Sequence, residues 1–169
     1  MAATYNNLYL DARKRLREAG VEGAQLEARE LVCCAAGKSR EQFYRDMALY
    51  ASDPVEEKLA ELLERRLAGE PVAYLIGEWE FYGLGLDITP DVLIPRMDTE
   101  VLAERAILLA RAAGEGARVL DLCAGSGCVG LAVAANVPGC RVVLADVSEA
   151  ALRLCKQNVR RNELNARVT

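Results

Sequence analysis

The chain has 169 residues, 52% of them hydrophobic and 27% charged, with a formal net charge of −4. That length and composition fit one ordinary globular domain or two small ones, and disorder is not expected. No apolar run approaches the roughly 18 to 20 residues of a bilayer span, and the start, Met1-Ala2-Ala3-Thr4-Tyr5-Asn6, lacks a secretory signal, so no membrane is expected and the location is expected to be cytoplasmic. Lys and Arg are scattered, so no basic face offers itself to a phosphate backbone and no direct nucleic acid partner is expected. Six cysteines, at 33, 34, 123, 128, 140 and 155, include no two-residue-spaced pair, and the chain has no histidine. No metal site is expected, the cysteines read as small, reduced, buried apolar residues, and Ser-His or Cys-His nucleophilic catalysis is excluded.

The first seventy residues read as a helical module. Tyr5, Leu8, Tyr9, Ala12, Leu16 and Ala19 recur at helical spacing up to a stop at Gly20, and a second helix is predicted from Ala24 to Ala36, ending at Gly37. Ser39 and Gln42 have the form of a capping box, opening a short helix whose Phe43, Tyr44 and Met47 should face the core. Asp53, Pro54 and Glu56 start a further helix, with Val55, Leu59, Leu62, Leu63 and Leu67 as its apolar stripe and Gly69 as its end.

Composition changes from Pro71 to Pro95, where glycines, the aromatics Tyr74, Trp79, Phe81 and Tyr82, and the alternating run Leu86-Asp87-Ile88-Thr89 predict strands or a hairpin. Packing between modules is the expected use of the aromatics, with a ligand platform as the alternative. Asp98-Thr99-Glu100 opens a helix through Ala113, with Leu102, Ala106, Leu109 and Ala113 on one face. Beyond Arg118 the order is strand, helix, strand, helix, with strands at Val119–Leu122 and Val142–Ala145 and helices near 127–136 and 148–162. The last helix should bury Ala151, Leu152, Cys155 and Val159, and a third strand should begin at Arg167-Val168-Thr169. Such alternation implies parallel strands in an α/β sheet.

The most informative segment lies at the first of these strands. Asp121-Leu122-Cys123-Ala124-Gly125-Ser126-Gly127, with Gly130, reads as a strand running into a glycine turn that opens a helix, where nucleotide-like cofactors bind. Asp121 ends the strand as a carboxylate, and a carboxylate repels the pyrophosphate that a helix amino terminus otherwise attracts. A cationic ligand fits better. S-adenosylmethionine carries an ammonium, a sulfonium and a ribose but no phosphate, so Asp121 is the candidate for the ammonium. Asp146, about 20 residues beyond the glycines, is the candidate for the ribose hydroxyls. The spacing leaves open the alternative that Asp121 and Asp146 merely cap the following helices.

On these residues, together with Gly69-Glu70-Pro71-Val72-Ala73-Tyr74-Leu75-Ile76-Gly77, Phe81-Tyr82-Gly83 and Val92-Leu93-Ile94-Pro95-Arg96-Met97-Asp98-Thr99-Glu100, the chain resembles the S-adenosylmethionine-dependent methyltransferases that modify a glutamine side-chain nitrogen in peptide chain release factors. The resemblance covers essentially the whole chain. It implies an α/β architecture of three parts: an N-terminal helical bundle at 1–70 that docks the release factor, a β-hairpin linker at 71–97, and the first part of a Rossmann-like sheet at 98–169. It also implies a cofactor site at Asp121, Cys123, Ala124, Gly125, Ser126, Gly127 and Asp146, with the Arg96 to Glu100 segment bordering the cleft, although a simple helix cap is as good a reading of Arg96 itself.

Three departures from the family pattern stand out. Met97 replaces a usual proline, Cys123 replaces a frequent glycine, and the Asn-Pro-Pro-Tyr motif that grips the substrate amide is missing, since none of the five prolines are adjacent. The chain therefore reads as shortened at its carboxyl end relative to the family, with no catalytic residue assigned and no turnover expected from these 169 residues alone. A partial sheet should leave an unpaired apolar edge and favour self-association. A non-catalytic release-factor-binding fragment and a nucleic-acid amino-methyltransferase are the alternatives, and an NAD-dependent enzyme is a more distant one.

Overall fold

The computed structural model describes residues 3–169. The chain divides into two compact units, Met1–Ile76 and Gly77–Thr169.

The first unit is all helical. Helix α1 (Tyr5–Glu18) begins at Thr4, whose hydroxyl accepts the Asn7 N–H at 3.2 Å. Helix α2 (Ala24–Ala36) ends at Gly37 in the left-handed conformation. The expected capping box starts α3 (Arg40–Asp46), with the Gln42 N–H donating to Ser39 Oγ at 3.1 Å and the Ser39 N–H to Gln42 Oε1 at 2.9 Å. Helix α4 (Asp53–Leu67) carries its proline in the first turn, where the missing N–H costs nothing. The one-turn α5 (Val72–Ile76) occupies residues read from the sequence as part of a strand or hairpin region.

Helix α2 packs against each of the other four, so Ala28, Leu31 and Val32 are wholly buried at the centre. Glu27 receives two hydrogen bonds from the Arg66 guanidinium, at 2.6 and 3.2 Å, tying α2 to α4 by a geometry that fixes orientation as well as charge. Phe43 is buried as expected, but Tyr44 is exposed, with its hydroxyl accepting from Arg29 at 3.3 Å. Phe43 takes the packed position on α3, its ring edge-on to Tyr9 of α1 with centroids 5.8 Å apart.

The second unit opens with a hairpin of β1 (Glu78–Phe81) and β2 (Leu84–Asp87), paired antiparallel from Glu78 opposite Asp87 to Phe81 opposite Leu84. Tyr82 and Gly83 both have positive φ, as a two-residue turn of this hand requires. Helix α6 (Met97–Ala112) follows, and its Glu100 accepts the Tyr82 N–H at 3.1 Å. It buries Ala103, Ile107 and Ala110, whereas Leu102 and Leu109, expected on its packed face, are exposed. Apolar residues surround this helix, so periodicity does not select a face, and its contact with the next helix decides.

The sheet is built from β3 (Arg118–Leu122), α7 (Cys128–Asn136), β4 (Arg141–Ala145) and α8 (Glu149–Arg161). Strands β3 and β4 run parallel, Asp121 lying opposite Leu144. The start of a third strand appears where expected: Val168 bridges Val142 in parallel, and the Val142 N–H donates to the Arg167 carbonyl at 2.9 Å. Helix α7 packs on both strands and on α6, and Gly130 through Ala134 are consecutively buried. Helix α8 packs on β4 and β2 and buries Ala151, Cys155 and Val159, with Leu154 and Asn158 more deeply buried than Leu152. Among the described residues, β3 has a strand partner on one edge only, and Leu120, Leu122 and Val143 are exposed.

One acid in the helical unit makes a pH test. Asp46 ends α3, where the helix dipole disfavours a negative charge, and hydrogen bonds from Arg45 (2.9 Å) and Lys38 (2.8 Å) lower its pKa from the ordinary 3.8 to about 2. A depressed native pKa contributes stability that is present above the unfolded value and is lost as pH falls through the folded one. Asp46→Asn should therefore lower the urea midpoint at neutral pH, and that difference should shrink as pH falls below 3.8 and vanish only once pH is below about 2.

Candidate functional site

The carboxyl ends of β3 and β4 meet the turn that opens α7. Cys123 leaves the strand with φ of 65° and is exposed, contrary to its reading as a buried apolar residue; it sits at the mouth of the turn, where no neighbour covers it. Ala124 is buried, and its N–H donates to the Ala145 carbonyl at 3.0 Å, continuing the strand pairing into the turn. Gly127 then donates to the Ala124 carbonyl at 2.7 Å and serves as the amino cap of α7 with φ of 81°. A side chain there would be strained in backbone angle and would also crowd Leu144 and Cys155.

Because Gly127 has no side chain, the cap for α7 comes from elsewhere. Asp121 Oδ2 accepts the Gly130 N–H at 2.8 Å, so the last side chain of β3 before the exposed strand end satisfies an orphan donor in the first turn of the helix. Burial pushes the Asp121 carboxyl above the ordinary range; the Gly130 N–H opposes that shift, and the nearby charge of Asp146 adds to it. Asp146 behaves differently. Its Oδ1 accepts the Ser148 N–H and its Oδ2 the Gly125 N–H, both at 2.9 Å, and these two donors hold its pKa below the ordinary value.

The sequence-predicted residues Asp121, Cys123, Ala124, Gly125, Ser126, Gly127 and Asp146 thus share one turn and the two strand ends beside it. Both acids do act on the starts of the following helices, which was the alternative reading of their spacing. Each also retains acceptor capacity, because a carboxylate oxygen accepts more than one hydrogen bond and Asp121 Oδ1 has no hydrogen bond among the described residues. Neither acid is ion-paired there: the salt bridges of this unit join Arg153 to Glu149 and Arg161 to Glu78 and Asp87. Two uncompensated carboxylates beside an open turn suit a ligand carrying positive charge and hydroxyl groups. One of the N–H groups in the first turn of α7, that of Gly130, is already taken by Asp121, whose carboxylate would repel a pyrophosphate there.

Helix α8 contributes groups that the sequence reading passed over. Cys155 Sγ donates to the Gly125 carbonyl at 3.2 Å, and burial raises that thiol to about 11, so it is a donor rather than a nucleophile. Asn158, fully buried, donates from Nδ2 to the Ser126 carbonyl at 2.9 Å and to the Asp87 carbonyl at 3.1 Å, while its Oδ1 accepts the Asp87 N–H at 2.6 Å. Its signal in the sequence was an amide one helical turn beyond Cys155 on an otherwise apolar face. Arg96 is exposed at the start of α6 and makes no side-chain cap. Among the described residues, no group of three or more His, Cys, Asp or Glu is placed to hold a metal.

Gly130 gives the site its packing test. A Cβ there would collide with the Leu144 side chain and lie 3.1 Å from both Asp121 Oδ2 and Val142 Cγ1. Gly130→Ala is expected to lower unfolding stability by about 1–3 kcal/mol, as overpacking does, read from urea midpoints at unchanged m-value.

Comparison with known proteins finds relatives for both units. Residues 7–77 match the family model described as the PrmC N-terminal domain, and residues 85–169 match the methyltransferase small domain. The chain is 45% identical over 150 residues to the release factor glutamine methyltransferase of Bordetella pertussis, covering 85% of this chain and 52% of that protein. It is 40% identical over 157 residues to the protein of the same name from Geobacter sulfurreducens, covering 93% and 54%. For the Coxiella burnetii protein the identity is 39% over 140 residues, covering 83% and 50%. The chain spans about half the length of the curated relatives it matches.

Proposed function

The chain belongs to the methyltransferase small domain family, and from that premise we propose that its second unit holds S-adenosylmethionine at the glycine turn, for methyl transfer to a glutamine side-chain nitrogen of a peptide chain release factor. The observation that carries the reading is the pair of carboxylates, Asp121 and Asp146, that flank the turn without a Lys or Arg partner among the described residues. Asp121 would take the ammonium of the donor and Asp146 its ribose hydroxyls, with the backbone from Cys123 to Gly127 alongside. The donor supplies an activated methyl group when bound. This chain's own residues bind and orient: the two acids fix the donor's ends, and the hydrogen-bonded turn holds them at constant separation. Positioning is the main requirement of such a transfer.

The release factor comes from the printed names of the relatives, and the helical module at 1–70 is proposed as its docking part, joined through the 71–97 hairpin region to the methyltransferase part at 98–169. A translation factor as partner makes the cytoplasm the proposed compartment. A net charge of −4 and scattered basic residues disfavour a nucleic acid as the direct partner.

Isothermal titration tests the donor site. S-adenosylmethionine should bind and NAD should not, and Asp146→Ala should weaken the donor by roughly tenfold or more, the loss of a charge-assisted hydrogen bond. Equal binding of NAD, or an Asp146→Ala variant that binds as well as the parent, would sink the assignment.

The 169 residues contain no Asn-Pro-Pro-Tyr to accept hydrogen bonds from a substrate amide. The chain on its own is accordingly expected to retain a release factor in a pull-down while transferring no radiolabelled methyl to it. Turnover would show that other residues grip the amide, and failure to retain the factor would remove the docking role.

A further inference from the structure

A buried amide is costly unless its donors and acceptor are all used. Asn158 is fully buried on the face of α8 that otherwise presents Leu154, Cys155 and Val159, and all of its hydrogen bonds leave the helix for distant parts of the chain. Two go to the N–H and carbonyl of Asp87, the last residue of β2, which they clamp as a paired strand would. The third holds the Ser126 carbonyl between the two left-handed glycines of the turn. Around it the turn is held group by group: the Gly125 N–H by Asp146, the Gly125 carbonyl by Cys155, the Ser126 carbonyl by Asn158. Only the last of these also reaches the hairpin.

We infer that Asn158 is a positioning residue for the donor site, setting the shape of the glycine turn by tying Ser126 to the hairpin end at Asp87. The inference rests on the donor-site reading above for its consequence on binding, and on the hydrogen bonds themselves for its consequence on the turn. Nearby Asn162 supplies a control: its Nδ2 donates to the Gly85 carbonyl and to the main-chain carbonyl of Asn158, both at 2.9 Å, so it ties α8 to the same hairpin with no bond to the turn or to the Asn158 side chain.

The test compares Asn158→Leu with Asn162→Ala by amide hydrogen exchange and donor titration, at a temperature where circular dichroism shows both variants folded. In Asn158→Leu the Gly127 amide should exchange about 5- to 10-fold faster than in the parent, the change one lost buried hydrogen bond makes to a local equilibrium, while the Val133 amide inside α7 keeps its rate. S-adenosylmethionine affinity should fall by a similar factor. Asn162→Ala should leave both the Gly127 amide and donor affinity unchanged. Equal acceleration at Gly127 and Val133, or equal donor loss in both variants, would reduce Asn158 to a general stabiliser and overturn the inference.

Should Asn158→Leu not fold, the parent chain decides: its Asp87 and Gly127 amides should open with the same denaturant dependence, and independent opening refutes the link. A parent that binds no donor while its Gly127 amide responds as expected removes the donor reading and leaves the turn-setting role standing. A parent that binds donor but whose turn ignores Asn158 does the reverse.

Discussion

Two carboxylates at the ends of parallel strands accept backbone N–H groups from the glycine turn, and the second unit is organised around those bonds. The turn has to pass from β3 into α7 through left-handed glycines, which leaves N–H groups with no helical partner and no capping side chain at Gly127. Asp121 takes the Gly130 N–H and Asp146 the Gly125 N–H, so the charge that satisfies the backbone is also the charge the proposed donor would meet. The two acids are not equivalent. Burial works against the ionised form of Asp121, whereas paired N–H donors favour that of Asp146, and mutual repulsion raises Asp121 further. A bound cation would relieve that repulsion.

The close approach of α7 to the strands follows from the same constraint. For Asp121 to reach Gly130, the first turn of α7 has to lie against β3 and β4, and a side chain at 130 would hold it away from Leu144 and Val142. Helix α8 then closes the turn from the other side through Cys155 and Asn158, and Arg161 and Asn162 fasten its far end to the hairpin. Hairpin, turn and both strand ends thereby become one hydrogen-bonded body within this unit.

Much of this was legible in the sequence wherever a residue type has one physical use. Ser39 with Gln42, Pro54 after Asp53, and Gly37 after an apolar run mark helix ends because few other residues satisfy those backbone positions. The turn from Asp121 to Gly130 was legible for the same reason. Where the outcome depends on which neighbour a surface meets, the sequence was silent. The apolar residues around α6 do not say which side α7 will cover, Tyr44 is aromatic like Phe43 but is exposed, and Cys123 is a buried type in an open position. Asn158 was missed because a polar residue in an apolar stripe reads as noise until its partners, 32 and 71 residues away, are known.

The helical unit is held differently, by α2 packed among four neighbours and by the Arg66 to Glu27 pair. The proposed donor site lies within the second unit. The most direct test is a titration of the isotopically labelled chain with S-adenosylmethionine, followed through backbone amide shifts. The largest, saturable changes are expected at Gly125, Gly127, Asp146 and Val147, with the amides of residues 5–67 unmoved. Changes confined to the helical unit, or none at the turn at saturating donor, would contradict the assignment.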